Sequence, residues 1–135
     1  MTRKALLIGA LAAAGITAAA GAAQAAEEGD WRLGRVYYRM VCTACHTDQA
    51  GQAIAPSAKT KAEWTAYLAS DAHDASGKSN PNVSYYVSTH FRESVKDSNK
   101  AAAKFLKMPE NELMAAVSAF VVYGAKDSDN PASCQ

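Results

Sequence analysis

The chain has 135 residues, room for one domain, with 14 Lys and Arg against 13 Asp and Glu and a formal net charge of +1. So even a balance excludes a global electrostatic pull toward nucleic acid or an anionic membrane surface. Hydrophobic residues make up 49% of the chain, but an alanine-rich opening inflates that figure and leaves a modest apolar supply for a core.

The opening is a separate unit. Thr2-Arg3-Lys4 precedes the uncharged run "ALLIGALAAAGITAAA", and small residues surround Ala23-Gln24-Ala25. This pattern predicts a signal peptide over residues 1–25, cleaved near Ala25 or Ala26, and a periplasmic or otherwise exported product. An uncleaved leader would be a membrane anchor; its richness in Ala rather than Leu argues against one. Arg3 and Lys4 are its only charged residues, so their loss leaves the mature chain one basic residue short of its 13 acidic ones.

The remaining chain reads as one all-helical domain, 26–126, with a polar, loose tail at 127–135. From an N-cap at Asp30, Leu33, Val36, Tyr37, Met40 and Val41 share one helical face. Residues 47–60 are loop-like, and a second helix over 61–70 places Trp64, Tyr67 and Leu68 together. Turn chemistry fills "SDAHDASGKSNPN" at 70–82. A third helix is predicted over 83–95, with Val83, Tyr86, Val87, His90 and Phe91 on one stripe, and a short fourth over 99–108. Pro109 then suits the first turn of a last helix, Glu110 and Glu112 suit its positive end, and Gly124 ends it. Leu113, Val117, Phe120 and Val121 form its buried face.

The chemistry concentrates in "VYYRMVCTACHTDQ", residues 36–49. Cys42, Cys45 and His46 form Cys-x-x-Cys-His, and positions i, i+3 and i+4 project on one side of a helix. Two thiols so placed can add to the two vinyl groups of a haem while the imidazole reaches its iron, and this pentapeptide is the signature of c-type haem attachment. A thioredoxin-like dithiol would sit near a βαβ pattern, which the chain lacks. A structural zinc needs four ligands, and there is no second ligand pair. One covalent haem c per chain is the expectation. Cys134 stands apart as a free thiol or an intermolecular link.

With these residues in place, the chain resembles a monohaem c-type cytochrome of class I. Gly34, Tyr38 and Cys42, at four-residue intervals, resemble the family's N-terminal helix, where a glycine admits a crossing helix. Val117 and Phe120 resemble the pair on the C-terminal helix that makes the crossing. Pro56, in "AIAPS", resembles the proline whose carbonyl accepts the proximal histidine's Nδ–H, which makes Nε2 the iron ligand. The resemblance covers 31–58 and 109–124 and implies a small all-α cytochrome c-like domain wrapped around one haem.

The second axial ligand is open. His90, on the apolar stripe, is the preferred candidate, and Met108 the alternative. Met108 sits directly before Pro109, a position that usually staples a helix start. His73, in a polar turn, and an open iron are weighed below these. Met114 reads as core, and Met40 precedes the motif on the same helix. Arg92, Lys96, Lys100, Lys104 and Lys107 make a locally basic stretch that is either a solvated face or a rim steering an acidic redox partner. Trp64 reads first as core. The functional expectation is an exported one-electron carrier between redox proteins, with no enzymatic activity of its own. The alternatives are a haem-based small-ligand sensor and an electron-transfer subunit of a larger oxidoreductase.

Overall fold

A computed structural model describes residues 29–50, 54–73 and 77–133; the expected leader 1–25 and Cys134 lie outside these residues. Among the described residues all regular structure is helical, and the one β-type pairing is an isolated bridge between Ala72 and Asn82. The expected all-α class holds at this level.

Asp30 caps the first helix as expected, its carboxylate accepting the Arg32 amide at 2.9 Å. Helix α1, Trp31–Tyr37, runs into a π-helical turn, Tyr38–Cys42, and then into α2, Thr43–Ala50. The turn closes where the Thr43 amide donates to the Tyr38 carbonyl, five residues back. It therefore holds one residue more than an α-turn and rotates α2 by about 100° from a continuous α-helical phase.

The buried side of this helix differs from the expected one. Gly34, Tyr37, Tyr38 and Val41 face the core, while Leu33, Val36 and Met40 are 39%, 47% and 54% exposed. Gly34 decides the matter. A Cβ there would overlap the Ala116 carbonyl, so the backbones of α1 and α7, Glu110–Tyr123, touch at this point and α1 must turn this side inward.

Helix α7 carries the expected buried residues Leu113, Val117, Phe120 and Val121, joined by Ala116 and Ala119. Tyr38 packs on Phe120 with ring centres 5.5 Å apart, and Trp31 stacks on Tyr123 at 4.2 Å. Helix α3, Lys61–Ser70, begins with a reciprocal cap. The Thr60 hydroxyl accepts the Glu63 amide, and the Glu63 carboxylate accepts the Thr60 amide.

The expected helix over 83–95 is two helices, α4, Val83–Val87, and α5, Thr89–Val95. Ser88 lies between them in an extended conformation, and its hydroxyl accepts the Phe91 amide at 3.1 Å, starting a new helix in a new direction. The single stripe through Val83 and His90 is broken there. Helix α6, Lys100–Lys104, is shorter than the expected 99–108; a turn carries the chain on to Met108 and Pro109.

Arg92 is fully buried rather than part of a basic rim. Its guanidinium donates to the Phe105 carbonyl, to the Met108 carbonyl at 2.9 Å and to the Thr89 hydroxyl at 3.2 Å, and its Nε donates to the Ser88 carbonyl at 3.2 Å. Five fixed donors suit a place where carbonyls from several chain turns converge, two of them, Ser88 and Phe105, also accepting a backbone amide. Beyond α7 the expected loose tail folds back: Asp127 accepts the Lys61 amide at 2.8 Å, and Ala132 pairs with Gly124 and Ser57. Among the described residues no helix is long and apolar enough to cross a membrane.

Candidate functional site

Cys42 ends the π-turn, and Cys45 and His46 lie in the first turn of α2. Both thiols are free and half-buried. Burial pushes the Cys42 thiol up to about 12; a backbone hydrogen bond partly opposes this and neighbouring Cys45 adds to it. Thiols that exchange disulfides are instead held low, as thiolates. Burial therefore keeps the Cys42 thiol protonated at neutral pH, unlike such a thiolate.

Two phenols lie near Cys42. Tyr37 is fully buried beside Cys42; burial first, and then the Cys42 charge, push its phenol upward. Its hydroxyl donates to the Tyr86 carbonyl at 2.5 Å, which ties α1 to α4. Burial and the Cys42 charge likewise raise Tyr67.

His46 does not face solvent alone. Its ring centre lies 5.8 Å from that of His73, with the ring planes at 67°. Burial lowers the His46 pKa, and the His73 charge lowers it further. His73 leans on Tyr86, ring centres 4.5 Å apart, and its Nδ1 is buried without a hydrogen-bond partner. Thr43 Oγ1, next to Cys42, is also buried without a partner.

The turn that presents His73 is stitched through Asp71. This residue caps α3 in the left-handed conformation, φ 49°, and so sends the chain away from the helix axis. Its carboxylate accepts the Ser84 amide and hydroxyl, both at 2.6 Å, and the Asn82 side-chain amide at 3.1 Å. The His73 amide donates to the Pro81 carbonyl at 2.6 Å. The composition of 70–82 predicts a turn, but not these partners, because Asp71 finds them eleven and thirteen residues away.

The other expected site residues are placed as follows. His90, on the first turn of α5, is exposed, with its ring 6.1 Å from that of Tyr85. Met108 is half-buried against the core, and its carbonyl is held by Arg92. Pro56 is buried, and its carbonyl accepts the Trp64 indole N–H at 2.6 Å. Trp64 is thus a core residue with a satisfied polar end. Met114 packs on the core, and Met40 is exposed.

A groove of about 910 Å3 lies on another side of α1 and α2, with Arg32, Arg35, Arg39, Val36 and Met40 along one wall. None of Cys42, Cys45, His46 or His73 lines it. This cationic and apolar face follows from the direction in which Gly34 turns the helix, which the apolar spacing alone misassigns.

Among the described residues no three His, Cys, Asp or Glu side chains converge as a bare metal ion would require. Cys42, Cys45 and His46 lie within about one helical turn, and the His73 ring, whose Nδ1 has no hydrogen-bond partner among the described residues, lies beside that of His46. These are the kinds of side chain that the haem expected from the sequence would need. Compared with known proteins, the chain matches no family model, no curated protein and no solved structure.

Proposed function

We propose that this chain is an exported class I-like c-type cytochrome that carries single electrons between redox proteins. The observation that carries the reading is the presentation of Cys42, Cys45 and His46, with both thiols free of disulfides, within about one helical turn at the junction of the π-turn and α2. Cys42 and Cys45 would hold the haem, each S–H adding across one vinyl C=C to give one C–S and one C–H bond, and His46, whose pKa burial lowers, would bind its iron. When bound, the haem supplies a reversible one-electron couple; the chain tunes it through axial ligation, burial and hydrogen bonding.

The crossing of α1 and α7 supports the reading. The resemblance implies Gly34 and Tyr38 crossing Val117 and Phe120; Gly34 lies against the Ala116 carbonyl and the Val117 amide nitrogen, and Tyr38 packs on Phe120. Tyr37 and Tyr67 lie near Cys42. Export of the chain, with loss of residues 1–25, belongs to the same proposal, because covalent attachment keeps a cofactor that could otherwise be lost outside the cytoplasm.

The test is expression in a host that matures c-type cytochromes, followed by intact-mass measurement and voltammetry. One haem adduct on a chain shortened by about 25 residues, with a reversible one-electron wave, is expected. A chain recovered without covalent haem under those conditions would sink the proposal. Carbon monoxide binding separates a carrier from a ligand sensor: rapid complex formation at low concentration would favour the sensor.

A further inference from the structure

We propose that His73 is the second axial ligand, making the site a bis-histidine haem; the inference rests on the haem reading above. The ring centres of His46 and His73 are 5.8 Å apart. Two imidazoles bound through nitrogen to opposite sides of one metal, at about 2 Å per bond, have ring centres about 6 Å apart. The separation is one that two ligands of a shared metal would have; edge-to-face rings adopt the same spacing, so the orphaned nitrogen beside it has to carry the distinction.

The second observation is the orphaned nitrogen. A neutral imidazole has one donor and one acceptor nitrogen, and His73 Nδ1 is buried with nothing to bond. Buried polar atoms in native proteins almost always find a partner, so one left over beside the proximal histidine marks a place for a group that the described residues do not supply. A metal ligand needs a fixed ring, and His73 has one. Its backbone is tied to Pro81, its turn is tied through Asp71 to Asn82 and Ser84, and its ring rests on Tyr86. Tyr86 is in turn anchored to the buried Tyr37 hydroxyl.

The two competing side chains lack these properties. His90 is exposed beyond the break at Ser88, and the Met108 side chain packs against the hydrophobic core while Arg92 holds its carbonyl. Histidine in place of methionine lowers the reduction potential of a haem and leaves it low-spin.

The test uses the haem-loaded protein. The ferric parent is expected to be low-spin, with the near-infrared charge-transfer band of His–His iron; a His–Met band overturns the inference. His73→Ala should become high-spin and return to low-spin when imidazole is added, whereas His90→Ala should match the parent. A His73→Ala protein that stays low-spin without added imidazole overturns it. Should that variant fail to fold, His73→Met decides instead: a shift of the band to the His–Met position with a raised potential supports the inference, and an unchanged His–His band overturns it. A parent without covalent haem overturns the haem reading and this inference with it. A haem-loaded parent indifferent to His73 overturns this inference alone.

Discussion

Gly34 and the Ala116 carbonyl touch at the crossing of α1 and α7 with no room between them for a Cβ. Everything on the inner side of α1 depends on that approach, because Tyr37, Tyr38 and Val41 reach the core only while the two backbones are this close. The obstacle is backbone rather than a flexible side-chain end, so an added methyl must push the helices apart. Gly34→Ala is expected to cost about 2–3 kcal/mol, as overpacking does, and to lower the melting temperature by roughly 10–20 °C. An unchanged melting temperature would mean that the crossing is looser than its geometry.

Arg92 ties three turns of chain together from a fully buried position, with acceptors at Ser88, Thr89, Phe105 and Met108. Arg92→Met keeps much of the volume and removes the guanidinium's donors, while the Ser88 and Phe105 carbonyls each keep one backbone donor. A loss of about 2–3 kcal/mol is expected from the charged hydrogen bonds removed. The denaturant midpoint reads it. Arg92→Lys should recover only part, since one ammonium cannot reproduce the planar fork. A variant as stable as the parent would show that water replaces the guanidinium.

Much of this was legible in the sequence, and the misses have physical causes. The residues of α3 and α7 follow the 3.6-residue period with caps at their ends, so their bounds and buried faces were readable. The face of α1 was not, because apolar residues lie on both of its sides and the deciding contact is a glycine meeting a distant carbonyl. The break at Ser88 was hidden because a serine reads equally as a helix residue and as a new N-cap. Cys42, Cys45 and His46 announce themselves through a spacing that the chemistry requires. His73 does not, since its pairing with His46 depends on Asp71 reaching residues 82 and 84, and pattern within a short window holds no information about that.

The two thiols have distinct tests. Cys45→Ala should leave the haem held through Cys42 alone, so one vinyl stays conjugated with the macrocycle and the reduced pyridine haemochrome band moves to longer wavelength. Cys42→Ala should do the same by the other bond. A combined Cys42→Ala and Cys45→Ala protein should carry no haem through denaturing electrophoresis. Persistence of covalent haem in the double variant would move attachment to another residue.

Asp71 makes the turn around His73 sensitive to acid. Burial pushes its carboxyl up, but the Ser84 hydroxyl and amide, followed by Asn82, more than offset this and hold it below the ordinary value. A carboxylate with a depressed folded-state pKa contributes stability that is fully present above its unfolded value, about 4, and is lost as the pH falls through the lower folded value. The bonds from Asn82 and Ser84 should therefore be intact at neutral pH and weaken below about pH 4. Asp71→Asn removes the charge at every pH while nearly preserving shape. Parent and variant should differ in hydrogen-exchange protection at the Ser84 amide at neutral pH and converge in acid. In the haem-loaded protein the low-spin signal of the variant should also be lost at a higher pH than that of the parent. A protection difference independent of pH would show that shape, not charge, holds the turn.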